Sequence, residues 1–254
     1  AERPPMAFTL SDTIFFPSSA RFLGGATLTD FDGDGQVELT LARFTVPGGI
    51  LQDIPIFEFQ PDGSLVDIAA SLLGGTAPAT DFGREILTAD INGDGWDDLI
   101  VADHGFDQNP FPGAQNLILL SNGDGTLTDR SAEFSLGPDF THALAWGDIN
   151  GDGQNEIWFG NLGVDDPYVA TYLANDTVQL NSFALPANFE YFSTVELYDI
   201  DGDGQDEVIL GADTHGVFAG RKSVILDWTT SGFTSTELPD GSRFARAINL
   251  DTDM

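Results

Sequence analysis

The stretch Asp30-Phe31-Asp32-Gly33-Asp34-Gly35-Gln36-Val37-Glu38 returns, with small changes, along the chain. It places Asp or Asn at its first, third and fifth positions, Gly at its fourth and sixth, and Asp or Glu at its ninth. Three further complete copies begin at Asp90, Asp148 and Asp199, and a weaker copy begins at Asn249. Because the copies stand about 50 to 60 residues apart, the sequence indicates internal repeats of one structural unit.

The repeated stretch has the pattern of a loop that binds a hard cation. Side chains at alternate positions of a tightly turning loop converge on one point, and Ca²⁺ takes six to eight oxygen ligands. The glycines permit the positive φ that such a turn requires, and the seventh residue offers its backbone carbonyl. The sequence therefore predicts about four Ca²⁺ sites and a candidate fifth at the C-terminus. The predicted ligands are Asp30, Asp32, Asp34, Gln36 and Glu38; Asp90, Asn92, Asp94, Trp96 and Asp98; Asp148, Asn150, Asp152, Gln154 and Glu156; Asp199, Asp201, Asp203, Gln205 and Glu207; and Asn249, Asp251 and Asp253.

Two other interpretations of the loops have to be weighed. An EF-hand loop ends with Glu at position 12 and lies between two helices, but position 12 here is Leu41, Val101, Phe159 or Leu210. These residues lie in short apolar runs that predict strands, so the acid at position nine would close the site. Asp-Gly pairs alone also form hairpin turns. Four copies that keep the same ligand positions favour metal binding over simple turns.

Each repeat predicts four short β-strands. Apolar segments precede and follow the acidic loop, and two more strands come after a variable connection. Second strands such as Leu99-Ile100-Val101-Ala102 are apolar on both faces, as expected for a sheet between two other sheets. No segment has a sustained helical period, so the predicted class is all-β, a β-propeller of four-stranded blades. We expect one propeller domain, or a fragment of one, with complete blades at about 24–70, 82–131, 141–183 and 192–237 and partial blades at 1–20 and 243–254.

Two stretches of the second repeat resemble the FG-GAP/VCBS repeats of integrin-α-like β-propellers. Phe82-Gly83 opens this repeat ahead of its acidic loop, and Asn122-Gly123-Asp124-Gly125 is similar to the family's turn between outer strands. The resemblance covers nearly the whole chain, although only this repeat keeps Phe-Gly and the first has Leu23-Gly24-Gly25 instead. It implies calcium-binding blades. Since propellers of this family usually have seven blades, it also implies that the chain is part of a longer ring.

Composition limits the partners that this protein can have. Asp and Glu number 41 against 9 Lys and Arg, which gives a formal net charge of -32. Such a chain cannot assemble the basic face that nucleic acid or an anionic membrane requires. No stretch approaches the roughly twenty apolar residues of a membrane span, so we expect no membrane insertion. Weak calcium modules fill only where Ca²⁺ is near millimolar, so we expect an extracellular or cell-surface location.

The end of the blades opposite the acidic loops is the expected ligand face. Long polar connections there carry acids and histidines that suit a glycan or an extracellular protein ligand. The candidate residues are Asp103, His104, His142, Asp213 and His215. We therefore predict a module for adhesion or for carbohydrate or protein binding, with no catalytic residue assigned. A propeller-type polysaccharide lyase or other glycan-active enzyme is one alternative, and a structural surface or filament protein is another. The oligomeric state stays open.

Overall fold

The structure is a computed structural model that describes residues 22–44, 49–162, 166–185, 192–212, 222–229 and 232–239. These residues form four four-stranded antiparallel sheets and one two-stranded sheet. The predicted all-β class, with four-stranded and propeller-like blades, is therefore confirmed. Two single helical turns lie in connections between the sheets: α1 (Ala69–Leu72) and a 3-10 helix (Ser131–Phe134).

We number the four-stranded sheets as blades 1 to 4, and in each blade the strands lie side by side in chain order. Blade 1 contains β1 (Phe22–Thr29), β2 (Glu38–Phe44), β4 (Ile56–Phe59) and β5 (Leu65–Asp67), while β3 (Gln52–Asp53) pairs with β6 (Ala79–Thr80) in the small sheet. Blade 2 contains β7 (Gly83–Ala89), β8 (Asp98–Asp103), β9 (Leu117–Ser121) and β10 (Leu127–Asp129). Blade 3 contains β11 (Thr141–Gly147), β12 (Glu156–Asn161), β13 (Tyr168–Leu173) and β14 (Thr177–Ser182). Blade 4 contains β15 (Phe192–Tyr198), β16 (Glu207–Ala212), β17 (Val224–Thr229) and β18 (Gly232–Glu237).

Burial follows the position of a strand within its blade. The middle strands β8 and β9 are buried along their whole length, whereas the fourth strands β14 and β18 are largely exposed. The sequence of a strand that is covered on both faces is a nearly continuous apolar run, whereas a half-covered strand alternates between apolar and polar residues. The apolar second strands in the sequence are therefore explained by blades packed face to face.

The core lies between the blades rather than within any one of them. Successive side chains of a strand point to opposite faces, so Leu99 and Val101 of β8 pack between blades 1 and 2, while Ile100 packs between blades 2 and 3. Between blades 3 and 4 the core contains Trp158 and Phe192. Truncating a buried aromatic side chain of this kind to Ala costs about 3 to 5 kcal/mol.

All four acidic loops lie at the same end of the blades. Each loop joins the first strand of its blade to the second. The beginnings of the four first strands line one cavity and the middles of three of them line another, so these strands run side by side in the same direction. At the loop end the Trp96 ring of blade 2 lies over Gly33 of blade 1, where an added Cβ would come within 2.5 Å of Trp96 Cη2.

The sheets remain four separate units, and the residues that the structure describes do not close into a ring. The partial blades expected at 1–20 and 243–254 lie outside the described residues. Among the helices that the structure describes, none is long and apolar enough to cross a membrane.

Two carboxylates join neighbouring blades through backbone hydrogen bonds. Glu85 of β7 accepts the N–H of Leu144 in β11 at 2.9 Å. Asp206 accepts the N–H of Asp148 at 2.8 Å, and its own N–H donates to the Asp148 carbonyl, also at 2.8 Å. Because Asp148 and Asp206 belong to acidic loops of adjacent blades, the second contact fixes two candidate metal loops relative to each other.

We expect Asp206→Ala to lower the free energy of unfolding by about 1 to 2 kcal/mol, because the Asp148 N–H loses a charged acceptor. Urea unfolding at a fixed cation concentration measures this change. Asp97→Ala is the matched control, since Asp97 occupies the same loop position in blade 2 and is exposed. An equal change in both variants would show that the inter-blade contact does not contribute.

Candidate metal centres

Hydrogen bonds within each loop turn its acidic side chains inwards. The carboxylate at position one accepts the N–H of the glycine at position six in all four loops, at 2.8 to 3.1 Å. The carboxylate at position five accepts the N–H of position seven, at 2.7 to 2.9 Å. The repeated sequence thus produces one repeated loop geometry, in which acidic oxygens face the interior of a tight turn.

The acid at position nine closes each loop and is the first residue of the second strand. One of its oxygens accepts the N–H of position two in every loop, at 2.7 to 3.1 Å. The second oxygen of Asp98 also accepts the N–H of Ser121 in β9 at 2.7 Å. These closing acids are buried, unlike most of the loop. They are Glu38, Asp98, Glu156 and Glu207.

Two of the loops bring enough acidic oxygens together to hold a metal ion. Ligand oxygens of Asp30, Asp32 and Glu38 lie within 4.8 Å of one another, and so do those of Asp199, Asp201 and Asp203. In the part of the chain that the structure describes, Glu38 Oε1 is buried and has no hydrogen-bond partner. A buried carboxylate oxygen without a donor is costly, and a cation in the loop would compensate for it. The donor set therefore fits a hard cation.

Burial makes the charged form of the closing acids unfavourable. It raises the pKa of Glu38, Asp98 and Glu156 to about 7, and the neighbouring loop carboxylates add to the shift. The pKa of Glu207 is raised for the same reasons. Two unit charges about 4 Å apart repel by on the order of 4 kcal/mol at an effective dielectric of 20. A proton or a cation in the loop would therefore favour its closed form.

The structure describes every ligand that the sequence predicts for the first four loops. The fifth candidate set, Asn249, Asp251 and Asp253, lies outside the described residues, as do Asp213 and His215 of the predicted ligand face.

At the opposite end, Asp103 is buried and its carboxylate binds backbone. It accepts the N–H groups of Asp81 at 2.6 Å, Phe82 at 2.8 Å and Gly105 at 2.9 Å. Asp103 therefore ties the end of β8 to the chain that enters β7. The structure places this side chain inside the blade, whereas the sequence suggested an exposed position in a polar loop.

His104 and His142 come together beside Asp103. Their ring centroids are 4.8 Å apart, and the rings of Phe82 and Phe140 lie 4.0 and 4.7 Å from His104. Burial, followed by the positive charge of Arg84, lowers the pKa of His104 to about 3. The same causes hold the pKa of His142 well below its usual value. Both imidazoles are therefore neutral near pH 7.

Comparison with known proteins identifies the repeats. The model of the FG-GAP-like repeat matches residues 30–101 and again 90–159, which together make up just over half of the chain. The chain belongs to this family. Among solved structures, the crystal structure of the V. cholerae biofilm matrix protein Bap1 is similar at 17% sequence identity and a TM-score of 0.43. That similarity covers 81% of this chain and 38% of the Bap1 chain. None of the curated proteins matches the chain.

The buried histidines predict a loss of stability in acid. A group whose pKa is lowered on folding stabilises the protein above its unfolded pKa and loses that contribution as the pH falls. The unfolded pKa of His104 is about 6.5. Lowering the pH from about 7.5 to 5 should therefore decrease the free energy of unfolding by about 2 kcal/mol through His104 alone.

Urea unfolding of wild type and His104→Phe at both pH values tests this. The wild type should lose about 2 kcal/mol more than the variant, because the titration of the acidic loops is common to both proteins. Phe suits a position that is surrounded by aromatic rings. Identical losses in the two proteins would contradict a buried, neutral His104.

Proposed function

We propose that this protein is a calcium-binding, propeller-like module that works outside the cell or at its surface and captures a glycan with the end of its blades opposite the acidic loops. The observation that carries the proposal is the set of four acidic loops with one geometry, each closed by a buried carboxylate. A loop of this kind is stable only when a cation or proton balances its charge, so we assign the loops to metal-dependent stabilisation. The ligand is assigned to the other end.

The chemistry of the loops favours Ca²⁺ over other common metal ions. Every predicted ligand is an oxygen from a carboxylate, an amide or the backbone, and Ca²⁺ prefers oxygen ligands in flexible geometry. Zn²⁺ and copper are bound mainly by nitrogen or sulfur, and Cys is absent from the chain. Mg²⁺ is smaller, demands near-ideal octahedral geometry and gives up its waters reluctantly, so a loop that surrounds the ion with protein oxygens suits it poorly.

We also propose that the four blades belong to a larger closed ring of about seven. Apolar side chains on the outermost blades support this part of the proposal. Leu28 of β1 is 54% exposed, and the cross-strand pair Ile209 and Ile225 of blade 4 is only partly buried. A neighbouring blade on either side would cover these positions.

The charge of the protein supports a glycan rather than a nucleic acid or a membrane surface as the partner. A net charge of -32 repels phosphate, and bound cations would cancel only part of it. Neutral sugars carry no charge to repel and are recognised by aromatic rings and hydrogen-bonding side chains in concave sites. Histidines and phenylalanines gather at the end opposite the acidic loops.

Removal of calcium should lower the melting temperature by many degrees. A site with a Kd of about 0.1 to 1 mM, in ~1 mM Ca²⁺, stabilises the folded state by roughly 0.4 to 1.4 kcal/mol. Four such sites contribute about 2 to 6 kcal/mol, a large share of a typical net stability of about 5 to 15 kcal/mol. Thermal unfolding with and without a chelator measures the difference.

Two controls sharpen this experiment. Added Mg²⁺ should restore little of the lost stability, and the double substitution Asp94→Asn with Asp98→Asn should remove the share of one loop and leave the other three responsive. If a chelator-treated sample melts where the calcium-loaded sample does, the loops are only turns and the calcium assignment is wrong.

Glycan capture is tested with the calcium-loaded protein on an array of defined neutral and acidic glycans. We expect retention of neutral glycans, and loss of retention after chelation because the blades loosen. The same glycans are then incubated with the protein in solution and followed in the ultraviolet. Unsaturated products would favour a polysaccharide lyase instead, and the absence of any retained glycan would reject the binding function.

A further inference from the structure

The first strands of all four blades contain an irregularity at the same place. The pairing of first and second strands shifts between Leu23 and Gly25, between Gly83 and Glu85, between Thr141 and Ala143, and between Phe192 and Thr194. Each shift leaves one extra residue in the first strand, which defines a β-bulge. The four bulge residues are Gly24, Arg84, His142 and Ser193.

All four bulge residues line one cavity. It has a volume of about 330 Å³ and lies where the four first strands begin, at the end opposite the acidic loops. Bulges often lie beside binding sites, where they redirect a side chain. At Gly24 an added Cβ would be 2.1 Å from the Gly83 carbonyl oxygen, so only glycine permits the close approach of blades 1 and 2. The cavity volume is near the lower end of the range for ligand pockets, about 300 to 1,000 Å³.

Two of the bulge residues have polar atoms without hydrogen-bond partners among the described residues. His142 is only 9% exposed, and neither of its ring nitrogens makes a hydrogen bond within the residues that the structure describes. The buried hydroxyl of Ser193 also has no partner there. A neutral imidazole offers one donor and one acceptor, and a hydroxyl offers both. A ligand that satisfies this pair must itself donate and accept hydrogen bonds at neighbouring atoms.

The remaining lining favours an uncharged ligand with an apolar face. One cation, Arg84, and one carboxylate, Glu85, line the cavity together, so their formal charges cancel. The rings of Phe44 and Phe82, stacked with centroids 4.0 Å apart, form an apolar part of the wall. A sugar ring has this combination of properties, since its hydroxyls donate and accept while its C–H face packs on aromatic rings.

We propose that this cavity holds a neutral sugar unit at the end of a glycan, with His142 and Ser193 bonding its hydroxyls and the Phe82 side of the wall contacting its apolar face. This inference rests on the proposed glycan-binding function and names the site and the chemical class of the ligand. The backbone at the four bulges is the same, but the side chains differ from blade to blade. The cavity is therefore asymmetric and can hold one ligand in one orientation.

The test uses the calcium-loaded protein and three neutral probes, the methyl glycosides of glucose, galactose and mannose, with glucuronate as the charged comparison. Amide shifts in nuclear magnetic resonance spectra locate the bound probe, and titration gives its affinity. We expect at least one neutral probe to shift amides at the four bulges and to leave the acidic loops unchanged.

His142→Phe and Ser193→Ala should each weaken that probe about tenfold, because each removes a hydrogen bond from a buried site. Ser64→Ala is the matched control, since Ser64 lies in an exposed turn of blade 1, and it should bind as the wild type does. Melting curves of all three variants establish that they are folded. If His142→Phe does not fold, the smaller change Ser193→Ala decides alone.

The possible outcomes separate this inference from the proposed function. Neutral probes that bind equally well to wild type, His142→Phe and Ser193→Ala would place the sugar elsewhere, which overturns the inference and leaves glycan binding intact. Binding of glucuronate alone would overturn the assignment of a neutral sugar. If the glycan array retains nothing in the first place, the proposed function fails before this site is tested.

Discussion

The hydrogen bond from the N–H of loop position two to the carboxylate of position nine is the contact on which the blades depend. It occurs in every described blade and joins the start of the loop to the first residue of the second strand. The carboxylate is buried in all four of these blades. Closing the loop therefore places a negative charge where it is poorly solvated. A cation or a proton that balances this charge would therefore favour the closed loop.

The two ends of the blades use the repeat in different ways. At the loop end the residues are nearly the same in each blade, because every copy must meet the same requirement of converging oxygens. At the opposite end only the backbone irregularity is kept, and its residue is Gly24, Arg84, His142 or Ser193. Uniform residues suit a shared structural role, whereas different side chains around one cavity suit recognition of a single asymmetric ligand.

Sequence reasoning predicted the strands and the acidic loops well because both depend on local patterns. Apolar runs and spaced acids are visible within a few residues, and the strands β8 and β12 appear where these runs predict them. The short helical turns α1 and Ser131–Phe134 were not predicted, since single turns lack a periodic pattern.

Contacts between blades could not be predicted in the same way. The contacts of Glu85 with Leu144 and of Asp206 with Asp148 join residues more than fifty positions apart in sequence. Nothing in the local sequence distinguishes Glu85 or Asp206 from other surface acids. The burial of Asp103 and His104 has the same cause, because the polarity of their loop predicts exposure and only the packed blades cover it. The local sequence also contains no signal for the bulge at Ser193, which becomes visible only when the strand pairing of the four blades is compared.

Side chains of one acidic loop contact the loop of the neighbouring blade at two places. Trp96 of the second loop covers Gly33 of the first, and Asp206 of the fourth loop binds the backbone of Asp148 in the third. Each of these two contacts spans two repeats. A single repeat taken from this chain would keep its own acids but lose half of such a clasp. Duplication or shuffling of repeats would therefore preserve such a clasp only when both of its blades move together.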